Sequence, residues 1–246
     1  MKKDLLKAAT IAILALPAAA GAETWEKAVT LYGWIPDLDA SIATNYGDLE
    51  TSPSGGDILK NLDMVFMGTF EATKGRWSFI KDLLYVDLSS DKDTPFGLLF
   101  ANGEIDVKMT AATGYAAYNI HETDRARYEL AAGVRYFALE TEATLNAGRL
   151  PTESARIKED WFVPVIGIRG NWVLGDKWSA TGFVDYGRTF SGSSETWQVL
   201  GTVNYSFNDA WSGRFGYRHM ELEKDVKGRD VDIGLSGPII GVSYRF

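Results

Sequence analysis

The stretch that decides the fold is Ile239-Ile240-Gly241-Val242-Ser243-Tyr244-Arg245-Phe246. Ile240, Val242, Tyr244 and Phe246 fall on one side of an extended chain, and Ile239, Gly241, Ser243 and Arg245 on the other, because successive strand side chains point to opposite faces. An apolar face carried to a terminal phenylalanine makes little sense for an end that frays into water. It makes sense for a strand with one face against lipid and one against a polar interior.

The same period runs backwards through the chain. In 197–207, Trp197, Val199, Gly201, Val203, Tyr205 and Phe207 alternate with Gln198, Leu200, Thr202, Asn204 and Ser206. In 211–220, Trp211, Phe215, Tyr217 and His219 alternate with Ser212, Arg214, Arg218 and Met220. Such segments recur near 27–36, 62–73, 76–89, 103–120, 126–145, 158–174, 177–190, 195–207, 211–224 and 230–246. Many exceed the roughly five or six residues of a soluble strand and match the ~9–11 needed to cross a bilayer at a tilt. Short links (TKGR, HETDRA, LGDK, FNDA) alternate with connections that include the long 37–61, 90–102 and 146–157. Trp77, Trp172, Trp178 and Trp211 flank the short links, where indole rings favour a membrane–water interface. The expectation is an all-β chain forming a single transmembrane antiparallel up-and-down β-barrel of about ten strands. Eight would follow from merging a weak hairpin. Twelve would follow from an extra hairpin turning at Asn45-Tyr46-Gly47, after which SGGDILKNL reads as a helical turn capped by Ser54 or Asp57. Lys81 on the lipid side, and Pro164 and Pro238 within strands, are expected to snorkel or to mark bulges.

Residues 1–22 read as a secretory signal: Lys2 and Lys3, an apolar run from Leu5 to Leu16, Pro17, then small residues ending Ala20-Gly21-Ala22. Residues 23–246 then form the barrel domain. The chain carries a net charge of −8; without the three Lys and one Asp of the signal it carries −10, which excludes a nucleic-acid partner of the usual kind. There is no cysteine and 13% of residues are aromatic, as in an exported chain held by closed backbone hydrogen bonding rather than disulfides.

With its signal and its alternating apolar strand closing on Tyr244 and Phe246, the chain resembles the small Gram-negative outer-membrane β-barrel proteins of the opacity, OmpA-transmembrane and outer-membrane-protein-W type. The resemblance implies a bacterial outer-membrane location and contact with outer-membrane lipid and lipopolysaccharide. It also implies that Tyr244 and Phe246 serve as an assembly signal read by the barrel-assembly machinery. It fixes no oligomeric state.

Chemistry is sparse. His121 lies in a short link, and His219 with Glu221 is the one histidine–carboxylate pair, with no nearby serine to complete it. Asp87, Asp91 and Asp93 lack the glycine turn and distal glutamate of a calcium loop. Ser78 and Lys81, spaced as in an acyl-enzyme motif, point to opposite faces on a strand. No catalytic residue, cofactor or metal is expected. Alternation places Asp63, Glu71, Asp82, Asp106, Glu129 and Asp185 inside the barrel with Lys108, Arg135, Arg169, Arg214 and Arg218. Acids and bases nearly balance, which favours a lumen filled by ion pairs over the one-signed rings of a pore. The expected function is a non-enzymatic surface or structural barrel. The alternatives are a narrow porin or channel for small solutes and, behind it, a lipid-modifying enzyme resting on His219.

Overall fold

The computed structural model describes residues 24–44, 47–52, 54–92, 100–147, 152–225 and 230–246. The signal read over residues 1–22 and Asp93 lie outside them. Ten antiparallel strands close into a ring: β1 (Glu26–Trp34), β4 (Leu62–Lys74), β5 (Trp77–Lys92), β6 (Phe100–Glu122), β7 (Ala126–Ala147), β8 (Glu153–Val173), β9 (Trp178–Arg188), β10 (Ser194–Ser206), β11 (Trp211–Asp225) and β12 (Asp230–Arg245). Closure runs through the stretch that opened the reading. Val29 pairs with Tyr244 and Leu31 with Val242, and Phe246 N–H donates to the Lys27 carbonyl at 2.9 Å.

The extra hairpin forms but does not enter the ring. The chain breaks at Ile35-Pro36, then β2 (Asp37–Thr44) continues the line of β1 along the upper half of β12, and β3 (Gly47–Thr51) pairs only with β2. A short helix, α1 (Gly55–Lys60), follows; Ser54 caps it by accepting from Asp57 N–H. The Ser54 hydroxyl and the Lys60 ammonium hold the Asp57 carboxyl below its ordinary range.

The two strand prolines do not mark bulges, contrary to expectation: Tyr217↔Pro238 and Val134↔Pro164 are in regular register. Pro238 stands opposite the Ile35-Pro36 break, between the Trp34↔Ile239 and Asp37↔Ser236 pairs, so no ladder donor is lost there. Pro164 stands one residue beyond the last β8–β9 pair, Val165↔Gly187. Register shifts fall instead at Leu62/Met64, Phe100/Gly103 and Asn119/His121. Lys81 lies exposed on the outer face with no shift.

Two layers of opposite polarity are stacked along the barrel axis. Over the half next to the short turns, the outer face is apolar (Phe79, Leu130, Ile168, Val203, Phe215, Val242) and the inner face is largely polar around a small apolar cluster of Ile80, Ala117, Ala131, Val165 and Phe183. Aromatic pairs ring the short-turn rim: Trp77–Tyr118, Tyr128–Trp172, Trp178–Tyr205 and Trp211–Tyr244. Over the far half the pattern inverts. The inside holds a cluster of Trp34, Met67, Leu84, Phe137, Met220 and Leu222, and the outside carries Asp87, Lys108, Glu140 and Lys158.

A ring without free edges has no strand from which to fray. Detergent-folded protein is therefore expected to run at different positions on an SDS gel before and after boiling. Identical migration under both conditions, in a protein soluble in plain buffer, would contradict the barrel.

Candidate functional site

Inward positions of six strands bring charges together in the membrane half of the lumen. Nearest the short turns, Arg169 on β8 donates to Glu71 on β4 at 2.5 Å and lies 3.1 Å from Glu129 on β7. Glu129, fully buried, also accepts from Ser78 at 2.7 Å and from Arg127 at 3.1 Å. One level up, Arg135 on β7 and Asp185 on β9 form a pair whose side chains are both 0% exposed. Arg135 Nη2 reaches both Asp185 oxygens at 2.9 Å and the Tyr115 hydroxyl at 2.8 Å; its Nε and Nη1 donate to Thr113 and Thr196. Tyr115 donates to Asp185 at 2.7 Å.

Gln198 carries this network across to β11. Its amide nitrogen donates to Asp185 and Tyr115, and its oxygen accepts from Arg218 Nε at 3.0 Å. Arg218 pairs with Asp82 at 3.0 Å and donates to the Tyr32 hydroxyl, which in turn donates to Asp82 at 2.7 Å. The guanidinium also lies 5.0 Å from the Trp34 ring centroid, where the polar layer meets the apolar cluster above it. A cavity of about 110 Å³ remains beside the network, bounded by Glu71, Asp82, Arg169, Arg214, Arg218 and Phe183. Arg214 faces it with a buried Nε that makes no hydrogen bond among the described residues.

The structure thus gathers Glu71, Asp82, Glu129, Arg135, Arg169, Asp185, Arg214 and Arg218 inside. It does not gather the remaining three. Asp106 and Lys108 lie on the outer face of β6, where Lys108 pairs with Asp87 at 2.9 Å. Asp63 sits exposed at the β4 shift, and the Ser89 hydroxyl lies 2.5 Å from its carboxylate and 2.6 Å from that of Asp106, with one proton to donate between them. All three belong to strand extensions beyond the apolar band, where the outside meets water and the inside is apolar. Polar residues there face outward, opposite to the rule that holds within the band. Tyr32, Tyr115 and Gln198 were not anticipated. Tyr32 and Gln198 sit at inward positions of their alternating strands, so parity was the signal available; on β6 the parity that puts Asp106 and Lys108 inside puts Tyr115 outside, whereas it faces the lumen. Arg127, inward at the short-turn end of β7, carried the same signal. His121 stacks on Tyr128 at the short-turn rim, and His219 faces outward.

Every lumen carboxylate named here is held by a guanidinium, and no histidine points inward among the described residues. The arrangement is suited to bracing the wall, not to acid–base work.

The closed antiparallel ring is a fold that solved structures share. The fold of the outer membrane protease OmpT from Escherichia coli matches at a TM-score of 0.59 and 10% identity, covering 91% of this chain and 97% of that one. The fold is that of a Gram-negative outer-membrane β-barrel. The translocator domain of the autotransporter NalP from Neisseria meningitidis (TM-score 0.41, 13% identity, 90% and 88% covered) is more distant. So is the attachment invasion locus protein Ail of Yersinia pestis (0.39, 9%, 90% and 99%). Family models and curated protein sequences give no match. At such identities the likeness concerns the fold, and the outer membrane is the location it points to.

Proposed function

We propose that this outer-membrane barrel has a sealed lumen and acts through its surfaces, as a surface or structural protein, rather than as a solute channel. The observation that carries the reading is the complete burial of the Arg135–Asp185 pair at mid-lumen. A conducting pore wets its charged lining, and neither side chain of this pair touches solvent. The apolar cluster around Phe137, Met220 and Leu222 lies above it as a second seal. Charges of both signs, paired across the lumen, also lack the one-signed ring that selects ions in a channel.

In this reading the signal over residues 1–22 is removed on export, and Tyr244 and Phe246 present the last strand to the barrel-assembly machinery. The apolar band and rim aromatics meet membrane lipid and lipopolysaccharide. Planar-bilayer recordings of the purified barrel are the test: no steady conductance is expected. Steady, ion-selective current from the unmodified protein would replace this reading with that of a narrow channel.

A further inference from the structure

The outer face carries a second cluster, separate from the lumen. His219 on β11 lies directly across the ladder from Ser236 on β12. Its Nδ1 is 2.5 Å from the Ser236 hydroxyl and its Nε2 is 3.2 Å from Glu221 Oε1. A carboxylate only accepts, so Nε2 carries the ring proton, and Nδ1 is left to accept from Ser236 O–H. Trp197 on β10 fixes both partners: its ring centroid is 4.6 Å from that of His219, and its Nε1 donates to Glu221 Oε2 at 2.7 Å. The histidine side chain is 27% exposed and that of Glu221 40%, so the cluster is reachable from outside.

Its height on the barrel is defined. Trp211 and Tyr244 mark the short-turn rim, eight residues before His219 and eight after Ser236. At about 3.3 Å per residue and a tilt of about 40°, this puts the cluster roughly 20 Å up an apolar band about 25 Å tall. That is the far edge of the band, where head groups join acyl chains. The outward residues just below are apolar (Phe215, Tyr217, Ile240), and a groove of about 340 Å³ bounded by Asp39, Glu221, Glu223 and Asp232 opens above.

We propose that Ser236, His219 and Glu221 form a lipid-facing hydrolytic site that cleaves a fatty-acyl ester of a membrane lipid with an amine-bearing head group. The Ser236 hydroxyl oxygen bonds to the ester carbonyl carbon as its proton passes to His219 Nδ1; Glu221 stabilises the imidazolium. The bond to the alcohol oxygen breaks, and that oxygen takes the proton from Nδ1. Water then attacks acyl-Ser236 and gives a proton to His219. That proton returns to the serine oxygen as the fatty acid leaves. The acyl chain lies along the apolar wall below, and the carboxylates above favour a cationic head group over an anionic one.

The test uses the full barrel reconstituted in vesicles of phosphatidylethanolamine, of phosphatidylglycerol, or containing lipopolysaccharide, with fatty-acid release read by mass spectrometry. A long-chain fluorophosphonate reports the nucleophile. Release is expected fastest from phosphatidylethanolamine, and the probe is expected on Ser236. Both should fall at least about a thousandfold in Ser236→Ala and His219→Asn, while Lys81→Gln keeps wild-type rates. Heat-modifiable gel migration identifies folded variants. No release in any vesicle, or release and labelling unchanged in a folded Ser236→Ala or His219→Asn barrel, overturns the site. Equal release from phosphatidylglycerol overturns the head-group assignment.

Discussion

Arg135→Ala is expected to destabilise the folded barrel by about 3–5 kcal/mol, the usual cost of stranding one member of a buried ion pair. Asp185 would keep its bonds from Tyr115 and Gln198 but lose both guanidinium contacts, in a place where neither side chain now meets water. The decisive measurement is a double-mutant cycle in vesicles, read by denaturant unfolding. Because the desolvation of two charges cancels much of their attraction, Arg135→Met with Asp185→Leu should be less unstable than either single change. Strictly additive losses would mean that the two side chains do not act as a pair.

The charges of this network were readable from the sequence because period two is rigid. Once Val134 and Tyr136 are assigned to lipid, Arg135 has only the lumen to enter, and the same logic fixes Arg169, Asp185, Arg214 and Arg218. Asp106 and Lys108 escaped that logic. Alternation gives the two faces of β6 but not their polarity, and polarity reverses where the strand leaves the apolar band. The apolar seal was hidden as a layer, not residue by residue: Phe137, Leu84 and Met220 share the inward faces of Arg135, Asp82 and Arg218, but a period of two does not show that inward apolar residues from several strands meet at one level. The cluster at Ser236 was hidden for a different reason. Ser236 is seventeen residues after His219, and only the β11–β12 register, with Asp225 opposite Asp230, sets them side by side. Likewise the hairpin at Gly47 was legible as a turn, whereas its exclusion from the ring depends on Pro36 and on which edge of β12 remains free.

Phe137→Ala is expected to cost a further ~3–5 kcal/mol, in the range of large-to-small changes in a packed core. Phe137 is 1% exposed and stacks on Trp161 with ring centroids 5.4 Å apart. It stands two residues above Arg135 on the same inward face, so its ring separates the ion network from the far end of the barrel. Removing it leaves a void with a polar floor, which water can enter, unlike a void lined only by hydrocarbon. The loss of stability should therefore come with hydration of the Arg135–Asp185 pair, seen as faster amide exchange at the same level and as small, irregular currents in bilayers. Phe162 on β8, paired with Tyr136, supplies the control. Its ring is 63% exposed and faces outward, where acyl chains fill the space left by a truncation. Phe162→Ala should cost less than Phe137→Ala and leave the recordings silent. If the two substitutions prove equal in stability and conductance, the apolar layer inside the barrel is not its seal.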